Sequence, residues 1–335
     1  MRIRIAAALL VFALLFAMPA SILLWMTSVP GRSHEGALPP PTEAEKQMAA
    51  RLEAHVRAVA SEPHNLQYPE ALERSALYIE SALNGIGYDV HRQVFTANGR
   101  KVRNIEAVVE PRHPGGRTLI VGAHYDSWLE APGANDNGTG TAAVIELARL
   151  LADLSGKSNL RIRLVLFVNE EPPFFKTEQM GSLVYARRLK AAGEPVLGML
   201  SLETLGFYSD VENSQHYPPP LGMLYPTKGD FVAFVGLTSS RSFLRRAVGD
   251  FRDVAAFPSV GGTAPGFVQG IDWSDHWAFE EQGMPALMVT DTAPFRYPHY
   301  HSPSDTPDKV DYERLARIVS GLEKMIRRWA VSEGH

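Results

Sequence analysis

Two short runs of this chain, Leu164-Val-Leu-Phe-Val168 and Ala286-Leu-Met-Val289, are apolar at every position. A strand with one wet face alternates polar and apolar residues, so a strand without that alternation is covered on both faces. Such runs recur from Thr118 onward, separated by segments with helical spacing, and that order builds a sheet with helices on both sides. We read strands at 118–123, 161–168, 196–203, 231–236, a short one near 256, and 285–290. Helices are predicted over 138–154, 181–193, 239–252, 275–282 and 309–331. Upstream, Thr42 with Glu45 gives a capping-box pattern for a helix through about Ala60. Leu72, Ala76, Ile79 and Leu83 space a helix from Pro69 closed by Gly85, and strands 88–95 and 102–109 flank Asn98-Gly99 as a hairpin. The expected fold class is α/β: a three-layer αβα sandwich on a mixed, mostly parallel sheet, spanning 42–335.

Ahead of that domain, Ile5–Met26 is uncharged and apolar and follows Arg2 and Arg4. At about 1.5 Å per residue a helix of this length crosses a hydrocarbon core of roughly 30 Å. Residues 1–26 are expected to be a cytoplasmic stub and transmembrane anchor, with the arginines keeping the N-terminus in the cytoplasm and the domain outside it, periplasmic or extracellular. Residues 27–41, rich in Pro, Gly and Ser, read as a linker. A signal peptide cleaved at Ala17-Met-Pro-Ala20, giving a secreted protein, is the competing reading. The apolar run continues past that point through Ile22-Leu-Leu-Trp-Met26, which favours the anchor.

Composition narrows the chemistry. The net charge is -4 and no long basic run occurs, so nothing points to nucleic acid. Cysteine is absent, which leaves His, Asp and Glu as the strong metal ligands.

Five places carry candidate ligands, four of them after a predicted strand. His124, with Asp126 two residues on, ends the strand from Thr118; Asp126 could take the other ring N–H of a metal-bound His124. Asp136 lies in Asn135-Asp-Asn-Gly-Thr-Gly140, either an ordinary turn and helix cap or a carboxylate bridging two cations. Glu170-Glu171 follow Val168 and precede Pro172-Pro173. Adjacent carboxylates repel unless a cation or proton separates them, and neighbours on an extended backbone point apart, so one can hold a metal while the other acts as base. Glu203 ends the strand 196–203. His299 and His301 sit in Tyr297-Pro-His-Tyr-His-Ser-Pro-Ser-Asp-Thr306, before the last helix. Each has an ordinary structural reading alone; together they supply what two zinc ions sharing one carboxylate require. The Pro-rich stretch 211–229 has no periodicity and is expected to be a long loop over the site.

These segments resemble the co-catalytic, di-zinc aminopeptidase family of zinc exopeptidases, relatives of glutamate carboxypeptidase and glutaminyl cyclase, from about Asn104 to Asp311. The family's His-x-Asp element matches His124-Tyr-Asp126, and its Asp-x-x-x-Gly loop matches Asp136–Gly140 with Asp136 bridging. Its Glu-Glu pair matches Glu170 as general base and Glu171 as ligand, and its C-terminal Tyr/Phe-His-[Ser/Thr]-x-x-Asp-Thr motif selects His301 over His299. The resemblance implies one zinc on Asp136, Glu171 and His301 and a second on His124, Asp136 and Glu203, where the family more often has Asp. It also implies that Tyr300 polarises the scissile carbonyl and that Asp275, in Ser274-Asp-His-Trp277, hydrogen-bonds a ligand or substrate near the pocket. The expected activity is that of a metallopeptidase, an aminopeptidase hydrolysing N-terminal peptide bonds. A mono-zinc glutaminyl cyclase-like acyltransferase and a non-catalytic, receptor-like member are the alternatives.

Overall fold

The computed structural model describes residues 13–333. Residues 5–12 of the predicted span lie outside them. The rest of that span is helical from Ala13, with α1 at Met18–Thr27. Among the described residues no helix is long and apolar enough to cross a membrane.

The chain continues through α2 (Glu43–Val59), α3 (Pro69–Ile86), β1 (His91–Ala97) and β2 (Arg100–Val109). The capping box at α2 forms as its sequence predicts, Thr42 Oγ1 accepting from the Glu45 N–H and Glu45 from the Thr42 N–H. α3 runs past Gly85 and ends at Gly87, whose φ of 111° is the left-handed conformation a helix cap needs. The β1–β2 turn is Asn98-Gly99, both at positive φ. There follow β3 (Thr118–His124), α4 (Gly140–Leu151), β4 (Arg161–Phe167), α5 (Gly181–Ala191), β5 (Val196–Glu203) and β6 (Val232–Leu237). Next come α6 (Arg241–Val254), β7 (Ser259–Ala264), α7 (His276–Glu280), β8 (Ala286–Thr290) and α8 (Tyr312–Ser332). β7 therefore starts three residues after the strand predicted near 256, and its Ser-Val-Gly-Gly-Thr-Ala sequence owes its form to pairing with β6.

The eight strands form one mixed sheet in the order β1-β2-β4-β3-β5-β8-β6-β7. β4, β3, β5 and β8 are parallel neighbours, as are β6 and β7; β1–β2, β2–β4 and β6–β8 pair antiparallel. Alternate residues of β3 and β4 enter two cores. Leu119, Val121, Leu164 and Leu166 pack with α2, α4 and α8, whereas Ile120, Val165 and Phe167 pack with α5 and α7. The chain leaves β3 for β4 on one side and later β5 on the other. Right-handed crossovers then put α4 and α5 on opposite faces, and the strand ends around β3 become a crevice.

Among the described residues, helices do not cover the whole sheet. Beyond α7 the second face of β8, β6 and β7 lies under loops, including the long 211–229 segment expected to be one, and under the end of α1 at β7. The stretch read as a linker lies against the domain. Arg252 donates to the carbonyls of Pro30 and Gly31, and the Ser259 N–H donates to Ser33 Oγ at 2.8 Å.

Candidate active site

His124, Glu170 and Glu203 stand at or just past the carboxyl ends of β3, β4 and β5, so sheet register alone brings them together. Asp136 reaches the same crevice from the loop between β3 and α4. That loop is tied down by its backbone. The N–H groups of Asn135 and Asp136 donate to the two oxygens of Asp305 at 2.9 and 3.1 Å, and the Tyr297 hydroxyl donates to Asp305 at 2.8 Å. Asn137 latches it to β5, its amide donating to the Leu202 carbonyl at 2.8 Å and its Oδ1 accepting from the N–H groups of Gly140 and Thr204.

His124 Nε2 lies 3.4 Å from Asp136 Oδ1 and 3.3 Å from Glu203 Oε2. His301 Nε2 lies 3.1 Å from Asp136 Oδ2 and 3.4 Å from Glu171 Oε2. Donors around one tetrahedral zinc at 2.0–2.2 Å stand roughly 3.3–3.6 Å apart, so each triad has the spacing of a coordination shell. Asp136 belongs to both, one oxygen to each. Asp136 Oδ2 and Glu171 Oε1 are buried with no hydrogen-bond partner, although an imidazole nitrogen lies so near the first. Donors that approach without hydrogen-bond alignment are aimed at a common point, and an all-N/O set of this kind fits zinc. Five of the predicted ligands thus come together. His299 does not join them; its Nδ1 meets Ser304 Oγ at 2.8 Å near the surface.

The charges fit a cation site too. Burial raises Glu170 well above the ordinary carboxylate range, with Glu171 and Glu203 adding to it. Burial and the Asp136 charge push Glu171 up to about 8. Burial works against a charged His301, yet Asp136 and Glu171 beside it carry the imidazole up to about 10. His124, likewise opposed by burial, is raised well above its usual value by Glu203 and Glu170. Crowded carboxylates that retain protons, with histidines held protonated among them, are what a divalent cation would relieve.

The surroundings depart from expectation in detail. The Asp126 carboxylate does not take the His124 ring N–H. His124 Nδ1 meets the Asp126 backbone carbonyl at 3.0 Å, while the carboxylate accepts the N–H groups of Glu170 and Glu171 at 3.1 and 3.2 Å. Asp126 therefore sets the direction of the Glu-Glu pair. Asp275 is fully buried, has no hydrogen-bond partner at either oxygen, and does not line the cleft. Its neighbour Ser274 is the one that touches the site, donating to Glu203 Oε2 at 2.8 Å. Tyr300 stacks on His301 with ring centres 3.8 Å apart, and Trp128 stacks on His301 as well, at 4.9 Å. Trp128, Asn137 and Asp305 carried no assigned role in the sequence. Asp305 is the Asp of the C-terminal motif and Asn137 lies in the Asn/Asp/Gly loop, but neither pattern says what its side chain holds, and Trp128 is marked only by lying close after His124. The cleft mouth is formed by Glu170, Glu171, Glu203, Trp273, Tyr300 and His301 among others.

Comparison with known proteins accords with this geometry. The chain is 37% identical over 286 residues to the uncharacterized protein YfbL of Escherichia coli (strain K12), covering 81% of this chain and 85% of that one. It is 27% identical over 239 residues to a "Probable leucine aminopeptidase 1" of Trichophyton verrucosum (strain HKI 0517), covering 65% of this chain and 56% of that protein, so the chain spans little more than half of that relative. The solved aminopeptidase from Aneurinibacillus sp. strain AM-1 superposes with a TM-score of 0.63 at 17% identity, over 85% of this chain and 96% of that one. A glutaminyl cyclase from Fimbriiglobus ruber superposes with a TM-score of 0.61 at 21% identity, over 90% and 99%. These two likenesses establish a shared fold. Residues 104–326 match the Peptidase family M28, and this chain belongs to that family.

Proposed function

We propose that this chain is a zinc-dependent exopeptidase, an aminopeptidase that hydrolyses N-terminal peptide bonds, carried on a membrane by its N-terminal helix. The observation that carries the reading is the pair of ligand triads sharing Asp136, with Glu170 at the cleft mouth beside them. His124, Asp136 and Glu203 would hold one zinc and Asp136, Glu171 and His301 a second. Bound there, zinc supplies Lewis acidity to the scissile carbonyl and lowers the pKa of water.

The remaining steps belong to side chains of this chain. Glu170, fixed through its backbone N–H by Asp126, takes a proton from the attacking water and returns it to the leaving nitrogen. Burial, with the carboxylates around it, holds the Tyr300 hydroxyl well above its ordinary pKa, so it stays protonated and can donate to the developing oxyanion. Trp128 and Tyr300 fix the ring plane of His301. The peptidase domain, 42–335, would face away from the cytoplasm, a placement supported by Arg2 and Arg4 ahead of the apolar run, while the exposed Leu14, Leu15, Met18 and Leu24 support contact with the membrane.

Replacing the base tests this reading. Glu170→Gln should retain the bound zinc, counted by elemental analysis, and lose at least about 100-fold in kcat on Leu-arylamide, the scale of a lost general base. Full activity in that variant refutes the assignment of Glu170.

A further inference from the structure

An apolar groove leaves the candidate active site across the sheet face beyond α7, walled by loops and met at β7 by the end of α1. Its floor follows strand pairing. Glu203 faces Thr290 on β8, Thr290 faces Ala233 on β6, and Ala233 faces Val260 on β7. A second row, Met288, Val235 and Gly262, runs beside it. All seven residues line one continuous cavity with about 940 Å³ of empty space, part of it open to solvent. Three inter-strand steps of about 4.8 Å make the floor roughly 14 Å long. Tyr217, Leu221 and Tyr225 of the long loop wall one side, Val268, Ile271 and Phe295 contribute elsewhere, and Thr27, the last residue of α1, also lines it. The Tyr225 hydroxyl donates to the Gly261 carbonyl at 3.0 Å; a Cβ at Gly262 would collide with that hydroxyl, 2.3 Å away.

The lining contains no Lys, Arg or His, and Glu203 is its one acidic side chain. Such a groove offers no counter-charge to a charged chain along most of its length, and its floor on β8, β6 and β7 is mostly aliphatic. The side chain of a single leucine or phenylalanine would fill only the part next to Glu203. The two loops that wall it also expose Met223 and Phe267, as a surface meeting amphiphilic molecules does.

We propose that the site hydrolyses long-chain N-acyl amides, such as an N-acyl amino acid, with the acyl tail lying along β8, β6 and β7 towards α1. The proposal rests on the zinc-hydrolase reading of the site. Water adds to the acyl carbonyl carbon, the C–N bond breaks, and a fatty carboxylate and a free amine leave. Glu170 passes the proton from the water to the departing nitrogen.

The test uses the full-length, zinc-loaded chain in phospholipid nanodiscs, because detergent tails would compete for the groove. N-acyl-phenylalanines from butyryl to tetradecanoyl are compared with Leu-arylamide. kcat/KM should rise about fourfold per methylene, from roughly 0.8 kcal/mol per buried CH₂, and level off once the tail reaches Val260. Val235→Trp, which blocks the floor midway, should cut dodecanoyl turnover more than tenfold and leave butyryl turnover within twofold. A readout independent of turnover is quenching of tryptophan fluorescence in the metal-free chain, absent from Trp273→Phe and so assigned to Trp273, expected with dodecanoate and not with butyrate. A flat acyl series alongside brisk Leu-arylamide cleavage overturns the groove assignment and leaves the aminopeptidase reading standing. Absence of hydrolysis of every substrate, with zinc bound and dodecanoate still quenching Trp273, sinks the hydrolase reading and the proposed activity with it.

Discussion

The Asp126 carboxylate offers a sharp test of how the site is held. Both its oxygens accept backbone N–H groups, from Glu170 and Glu171, in a position only 2% exposed. Asp126→Asn keeps the shape and turns one oxygen into an NH₂ that faces an N–H donor. One hydrogen bond to a charged acceptor disappears, worth about 1.5–3 kcal/mol, and one buried N–H is left unpaired at about 1–3 kcal/mol more. The expected loss is therefore about 4 kcal/mol, or roughly 8 °C in Tm at about 2 °C per kcal/mol for a chain of this size. Because His124 is held by the Asp126 carbonyl, which the substitution retains, the histidine should keep its tautomer. The zinc content at saturating metal should stay unchanged, while kcat falls at least tenfold as Glu170 swings out of line. Differential scanning fluorimetry, elemental analysis and Leu-arylamide kinetics on one preparation measure all three. A variant that loses zinc with kcat per bound metal intact would show that Asp126 acts on His124 after all. Unchanged Tm and kcat would refute the latch altogether.

Two further predictions concern the framework. Burial holds His276 down at about 4, against 6.5 unfolded. Between those values the unfolded chain binds the extra proton, so stability is fully present above pH 6.5 and falls as pH drops, by about 1.4 kcal/mol per unit. Urea unfolding at pH 7 and pH 4 should show a loss about 3 kcal/mol smaller in His276→Gln than in the parent; equal losses would refute the contribution. Gly140 sits at helical φ, yet a Cβ there would lie 2.3 Å from both Asn137 Oδ1 and the Leu202 carbonyl. Gly140→Ala should cost about 3 kcal/mol, seen as a drop of roughly 6 °C in Tm, and a drop under 2 °C would show that the loop yields.

The candidate ligands were legible where a local pattern breaks, His124, Glu171 and Glu203 after an apolar strand and Asp136 in a Gly/Asn/Asp loop, whereas His301 was separated from His299 only by the family motif. The positioning residues were not legible, since their partners lie far along the chain. Nothing near Asp305 announces that it caps Asn135 and Asp136, and nothing near Asn137 announces the end of β5. Asp126 shows the limit within a motif. Its spacing from His124 suggested a side-chain contact, but the strand end turns its carboxylate towards β4 instead. Gly85 and Gly87 differ only in which one must take a positive φ, and that depends on where the α3 packing face stops. The groove over β6 and β7 showed in the sequence only as the aperiodic 211–229 segment that walls it; its floor comes from strand pairing between residues far apart in the chain.

Asp136 draws on donors that lie on both sides of it in space and almost wholly after it in the chain, the last being His301. During synthesis, then, the donors His124, Asp136 and Glu203 are all made well before the second set is complete, since that set waits for His301. A metal held by that second set would be acquired late, once His301 has left the ribosome and reached the cleft. If the domain crosses a membrane unfolded, the supply that matters is the zinc on the far side.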